Sequence, residues 1–267
     1  MLRDITIGQY YKTDSILHKL DPRVKLFGTL VFLVTLFMSN NVVSYVLAAL
    51  FVAVVIKLSN VPLKFIFRGL KSIVFILLFS VAFTLFFMDG ERILFEFGII
   101  RISVEGLIKS LEIMVRLILM IIGTSIITLT TTPNDIADGL EKAFGFLKVI
   151  KVPVHEIAMM VSIAFRFIPI LLEETDKIIK AQSARGANFD EGGFIQKAKG
   201  MVPIIVPLLV SSIRRALDLA TAMEARCYRG GEGRTKMKPL KYKTADYVTY
   251  VVYALYFAVF VAIKVLM

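Results

Sequence analysis

The chain is predicted to be an all-α, polytopic membrane protein with about five transmembrane helices and long amphipathic helices at the cytoplasmic interface. Three observations predict this. Of the 267 residues, 57% are hydrophobic and the mean hydropathy is +0.75, whereas a soluble domain is about half apolar. The apolar residues gather in blocks of bilayer length. The net charge of +11 comes from basic residues lying between those blocks. In a soluble protein such a surplus would suggest nucleic acid. Interleaved with apolar blocks, it reads instead as Lys and Arg retained on the cytoplasmic side, so no nucleic-acid partner is expected. The chain has a single cysteine, Cys227, and only two histidines, His18 and His155. An intrachain disulfide is therefore excluded, and neither a metal site nor a cofactor is expected.

The N-terminal 22 residues are polar and end in Asp21-Pro22, with no apolar h-region, so the first block is expected to insert as a permanent span. Spans are predicted over 26–38, 42–58, 73–88, 104–129 and 245–265. Ser39-Asn40-Asn41 makes the first two a tight hairpin. The fourth carries Lys109, Glu112 and Arg116, so its first half is expected to face a partner helix or the interface rather than lipid. The basic segments precede the first span (Arg3, Lys12, Lys19, Arg23, Lys25), follow the second (Lys57, Lys64, Arg68, Lys71) and occupy 214–243. A cytoplasmic N-terminus puts all of them inside and the acid-rich loop 89–105 outside. That topology belongs to a multi-pass protein of the cell membrane, in contact with lipid.

Residues 131–244 form a subdomain between an N-terminal membrane region, 1–130, and the last transmembrane helix, 245–267. Thr132-Pro133-Asn134-Asp135 is a helix start, and Lys151-Val152-Pro153 is a break. Two apolar stretches, 155–172 and 201–213, each lead into a charged amphipathic helix expected to lie at the membrane surface. The alternative makes them two further spans, which would place the basic residues of 173–199 outside. Pro169 is expected to kink or end its helix, and Pro203 and Pro207 to break the start of the next. Arg166 is expected to snorkel or to pair with Glu173 or Glu174, and Arg214, Arg215 and Asp218 to pair locally. Asp21-Pro22-Arg23 either contacts a partner or anchors the start of the first span, with anchoring favoured.

Ala184-Arg185-Gly186 and Ala225-Arg226-Cys227 carry the mechanism. Each Arg ends an amphipathic helix. Ile178 and Ala181 stand at i−7 and i−4 from Arg185, and Leu219, Ala222 and Met223 at i−7, i−4 and i−3 from Arg226. Those spacings put each Arg on the apolar stripe of its helix. Small neighbours allow close backbone approach, and the guanidinium fork can pair with a carboxylate or carbonyls in a groove of another protein. Glycines follow as helix ends: Gly186 directly, and Gly230-Gly231 a turn after the second tip. Taken singly, each Arg also fits an interfacial cation favoured by the helix dipole. Two copies favour two equivalent grooves, and so a two-subunit partner.

At these residues the chain resembles a known family, the transmembrane T component of energy-coupling-factor transporters. The likeness is carried by Ser15-Ile16-Leu17-His18-Lys19-Leu20-Asp21-Pro22-Arg23-Val24-Lys25, by Arg166-Phe167-Ile168-Pro169 and Ala181-Gln182-Ser183-Ala184-Arg185-Gly186. It continues through Arg214-Arg215-Ala216, Ala222-Met223-Glu224-Ala225-Arg226-Cys227-Tyr228 and Arg234-Thr235. The resemblance implies a non-catalytic subunit of an ATP-driven importer of vitamins or other micronutrients. Its coupling helices would dock through Arg185 and Arg226 into two ABC-type ATPase subunits. They would also carry motion to one substrate-binding S component. Arg166, Pro169, Pro203 and Pro207 are candidates for a hinge or a contact with that component. Cys227 departs from the glycine frequent there but stays small.

The rival reading is a stand-alone membrane carrier or channel, which calls for paired ionisable residues or broken spans at mid-bilayer. Lys109, Glu112 and Arg116 are its only candidates, and all lie near one end of their span. A membrane enzyme would call for a His/Asp/Glu cluster at one face, which the composition does not supply. No phosphate-cradling G-x-x-x-x-G-K-[ST] loop occurs, so ATP hydrolysis is expected to belong to partners.

Overall fold

A computed structural model describes residues 10–88, 92–97, 100–187, 193–230 and 239–266. The chain divides into two compact units. One comprises Gly8–Gly139 with Leu240–Met267, the other Met1–Ile7 with Leu140–Pro239.

The first unit holds α1 (Ile16–Lys19), α2 (Pro22–Met38), α3 (Val42–Ser59), α4 (Leu63–Phe87), α5 (Val104–Thr130), the first turns of α6 (Pro133–Ala143) and α9 (Thr244–Leu266). Its core is the seam where α2, α3, α5 and α9 meet: Phe32 and Leu36, Tyr45, Ala48 and Val52, Leu119 and Ile126, and Tyr256. Two glycines make the seam tight. A Cβ on Gly28 would fall 2.2 Å from the Tyr253 ring, and one on Gly123 would fall 2.3 Å from the Phe32 ring. Small residues let membrane helices approach where lipid offers no hydrophobic drive. Phe51 stacks on Tyr256 with ring centroids 4.4 Å apart.

The charges in the first half of α5 do face a partner helix. Arg116 donates to the Ser39 carbonyl at 2.7 Å and to Tyr45 Oη at 2.7 Å. Glu112 lies 3.1 Å from Tyr45 Oη and 2.8 Å from Lys109. Arg116 thereby supplies a donor to the end of α2, whose last carbonyls have no partner within the helix. Between α4 and α5 lies a short antiparallel hairpin that the sequence reading did not foresee, β1 (Ile93–Phe97) with β2 (Ile100–Ser103).

The start of α2 is a second polar centre. Asp21 caps the helix, accepting from the Arg23 amide at 3.0 Å, with Pro22 in the first turn. Burial disfavours its charge, but bonds from the Arg23 guanidinium (3.0 and 2.9 Å) and amide outweigh it. They hold the carboxyl below the usual carboxylate range. The anchoring expected of Asp21-Pro22-Arg23 is what the structure contains.

The second unit continues α6 into a 3-10 helix (Phe144–Ile150), then α7 (Val154–Ala184) and α8 (Phe194–Ala225). Thr132 and Asp135 cap α6 as expected, with the Asp135 amide donating to Thr132 Oγ1 at 3.2 Å. The break at Lys151 is real, with φ at +61°. Pro169 lies inside α7, so it does not end that helix. The expectation for Pro203 and Pro207 needs correction, because α8 begins before them and runs on past them. Pro203 and Pro207 are four apart, so their missing donors fall on one helix face, and the other face keeps its ladder.

Among the described residues five helices are long and apolar enough to cross a membrane: α3, α5, α7, residues 199–225 of α8, and α9. α4 adds a sixth if its two parts, bent by 58° between Lys71 and Ile73, are one span. Three of the five coincide with predicted spans. The other two are the helices the sequence reading lays at the surface. α2 has 17 residues, just short of a typical span.

Candidate functional site

α7 and α8 run in opposite directions past each other. Near the middle of both, the Glu174 carboxylate accepts from Ser211 Oγ and from Arg215 Nε at 3.1 Å and Nη2 at 2.6 Å. This cross-helix clamp corrects the expectation that Arg215 pairs locally, and of the alternatives offered for Arg166 it gives Glu174 to another partner. Arg pairs best where a carboxylate meets two of its N–H groups.

From this clamp the helices diverge to their C-terminal ends, and both end in the same way. Arg185 is the last half-helical residue of α7 (φ −86°, ψ 5°), and Arg226 that of α8 (φ −93°, ψ 13°). After Arg185, Gly186 turns left-handed at φ +86°. Its amide donates to the Ser183 carbonyl at 3.0 Å, and that of Ala187 to Gln182 at 3.0 Å. After Arg226, Cys227 turns left-handed at φ +56°. Its amide donates to Glu224 at 2.9 Å, and that of Tyr228 to Met223 at 3.0 Å. These are two complete Schellman caps in equal register. Each presents an exposed guanidinium at the point where the chain reverses. Neither Arg has a carboxylate partner among the described residues.

The second cap corrects one expectation. Cys227, not Gly230, is the residue that ends α8, although Gly230 is also left-handed at φ +91°. A Cβ in that conformation is strained by roughly 1 kcal/mol. Cys227→Gly is therefore expected to stabilise the end of α8 by about 0.5–1 kcal/mol. A raised thermal midpoint of the purified protein checks this, and Cys227→Val should lower it.

A cleft of about 650 Å³ lies between the first half of α7 and the end of α8. Met159, Ile163, Leu219 and Met223 give it apolar walls, and Arg166 and Arg226 line it together. Arg166 thus joins one signature tip, whereas Pro169 lies inside α7 and Pro203 and Pro207 inside α8. Along α8, Met201, Val202, Ile205, Val206, Leu209, Ile213 and Leu217 are all more than half exposed, forming a long uncovered apolar face. Among the described residues no cluster of His, Cys, Asp or Glu could hold a metal ion. Gly231, Arg234 and Thr235, quoted in the sequence reading, lie outside the described residues.

Comparison with known proteins shows the family. A family model described as "Cobalt transport protein" matches residues 13–237, which include both signature segments and the anchor at Asp21. The energy-coupling factor transporter transmembrane protein EcfT of Ruminiclostridium cellulolyticum is 50% identical over 92% of this chain and 92% of its own length. The chain belongs to the EcfT family. It is also 49% identical to the protein of that name from Clostridium kluyveri, over 93% of this chain and 92% of the other. To the one from Bacillus subtilis it is 44% identical, over 92% and 93%. An EcfT-family chain is a multi-pass transmembrane component of an energy-coupling factor transporter, and the apolar helices fit that role.

Sequence reasoning placed Arg185 and Arg226 at helix ends, where the structure has them. It missed the Glu174–Ser211–Arg215 clamp. The signal available was a Glu in the apolar-to-charged transition of one helix and a Ser–Arg pair, four apart, in that of the other.

Proposed function

We propose that this chain is the coupling subunit of an ATP-driven importer, with Arg185 and Arg226 each docked in one of two ATPase subunits. The observation that carries the reading is the matched pair of caps. Two arginines with equal backbone geometry and no carboxylate partner among the described residues, at the ends of clamped antiparallel helices, suit two equivalent grooves on a two-subunit motor. Motion of the motor pair then reaches α7 and α8 together.

The uncovered face of α8 supports a membrane-embedded partner, the substrate-binding S component, because an apolar face of that length calls for lipid or protein cover. The charged second halves support the surface position of both helices. Glu173, Glu174, Asp176, Lys177 and Lys180 follow the apolar stretch of α7, and Arg214, Arg215, Asp218 and Glu224 that of α8. Drawing such groups into hydrocarbon is expensive. In this reading the N-terminus, residues 131–244 and both tips are cytoplasmic. Vitamins or other micronutrients are the cargo class, selected by the S component.

The test is purification from the native membrane with identification of what accompanies the chain. Two P-loop ATPases and at least one small hydrophobic protein are expected. A chain that transports on its own after purification would refute the subunit reading.

A further inference from the structure

The chain leaves the membrane unit after Gly139 and returns to it at Leu240. Both passages are fastened to the first turn of α2. On the outgoing side, Gly139 sits so close that a Cβ would lie 3.0 Å from Pro22 Cβ and 3.3 Å from Leu26 Cδ1. Just before it, Lys25 Nζ donates to the Thr130 carbonyl at 3.0 Å and to Thr131 Oγ1 at 3.2 Å, at the end of α5. On the returning side, the Arg23 guanidinium lies 3.9 Å over the Tyr242 ring. The Asp246 carboxylate accepts from the Lys243 amide at 2.7 Å and from the Asp21 amide at 2.9 Å.

The burial at this place is unusual for the unit. Among the described residues the buried charged side chains are Asp21, Lys25 and Asp246, and all three are here. Thr130 and Thr131 are buried with them. A buried charge is held by directional bonds, and shifting its partner leaves it stranded at large cost. An apolar cluster of the same size would let helix ends slide. This one fixes them.

We propose that residues 21–25 are a positioning anchor, which holds both chain passages to the coupling helices as one rigid node and passes their force to α2, α5, α6 and α9 together. This deepens the coupling function proposed above and rests on it. The node assigns the moving part to what lies beyond it. On the outgoing side that is the 3-10 helix Phe144–Ile150 and the left-handed Lys151.

The experiment uses the full complex, purified with its ATPases and placed in lipid nanodiscs. Spin labels are attached to keto-bearing non-natural residues, so Cys227 stays in place. One pair, at the exposed Asn134 and Val248, straddles the node; the other joins Asn134 to Ser183 near the α7 tip. Distances are read without nucleotide and with a non-hydrolysable ATP analogue. The node pair is expected to keep one narrow distribution, while the Ser183 pair shifts. A node pair that shifts with nucleotide overturns the anchor and leaves the coupling function standing. If neither pair shifts, the coupling function fails and takes the anchor with it.

Lys25→Met is expected to split the Asn134–Val248 distribution into two populations while the ATPases still co-purify. A single unchanged population overturns the assignment of Lys25. If Lys25→Met yields no complex, Thr131→Val removes one acceptor alone. It should broaden the same distribution, and a distribution as narrow as the parent's would count equally against the anchor.

Discussion

Arg185→Glu combined with Arg226→Glu is expected to strip the ATPases from the chain during purification and to abolish ATP-driven uptake. Each arginine stands at a helix end with no carboxylate partner among the described residues, so its guanidinium is open to a partner protein. Losing one hydrogen-bonded charge from an interface weakens binding by about 2–5 kcal/mol, or roughly 30- to several-thousand-fold. Reversing the charge adds repulsion to that loss. With two such sites on one motor pair, avidity multiplies the effect, and either single variant should retain partial binding. Pull-down of the ATPases, followed by uptake in vesicles, checks both parts. A double variant that still held its ATPases and transported normally would remove these arginines from the interface.

The second large effect is expected at the clamp. Glu174→Arg sets a cation against Arg215 where α7 and α8 meet, and under the proposed coupling function should cut uptake on the order of tenfold, the size of an ordinary coupling between sites. The exchange Glu174→Arg with Arg215→Glu restores opposite charges across the same gap and should recover most of the activity. Ser211 Oγ donates to the carboxylate at 174 in the native chain, so the exchanged pair lacks one bond and recovery should stop short of complete. ATPases should stay bound throughout, because both caps are remote along the helix from the clamp. Equal loss in the single and exchanged variants would mean that this pair does not transmit motion.

The fold was legible wherever hydrophobic length decides the outcome. The helices near 42–58, 104–129 and 245–265 follow from runs of apolar residues bounded by polar ones, and α3, α5 and α9 occupy those places. The tips were legible too, because i−4 and i−7 spacing fixes which face an arginine shares. What was hidden depends on pairing between distant segments. The sequence suggested local pairs among Arg214, Arg215 and Asp218, and left Glu174 as one of several partners for Arg166. In the fold, crossing of two long helices brings Arg215 to Glu174 instead. Asp21 and Asp246 meet for the same reason, and spacing along the chain carries no sign of it. Pro203 and Pro207 misled because a rule for isolated helices was applied to a helix of 32 residues, where two missing bonds on one face are outweighed by neighbouring turns. Cys227 was read as merely small, whereas its backbone asks for a residue without a Cβ.

The bare flank of α8, from Met201 to Leu217, bears on how the cell must make this protein. If the S component covers this flank as proposed, a copy synthesised without it would present a greasy ridge to chaperones and membrane proteases. Such orphans are triaged while unprotected. Abundance of the chain should therefore follow that of the scarcest companion, and overexpression alone would raise turnover more than yield.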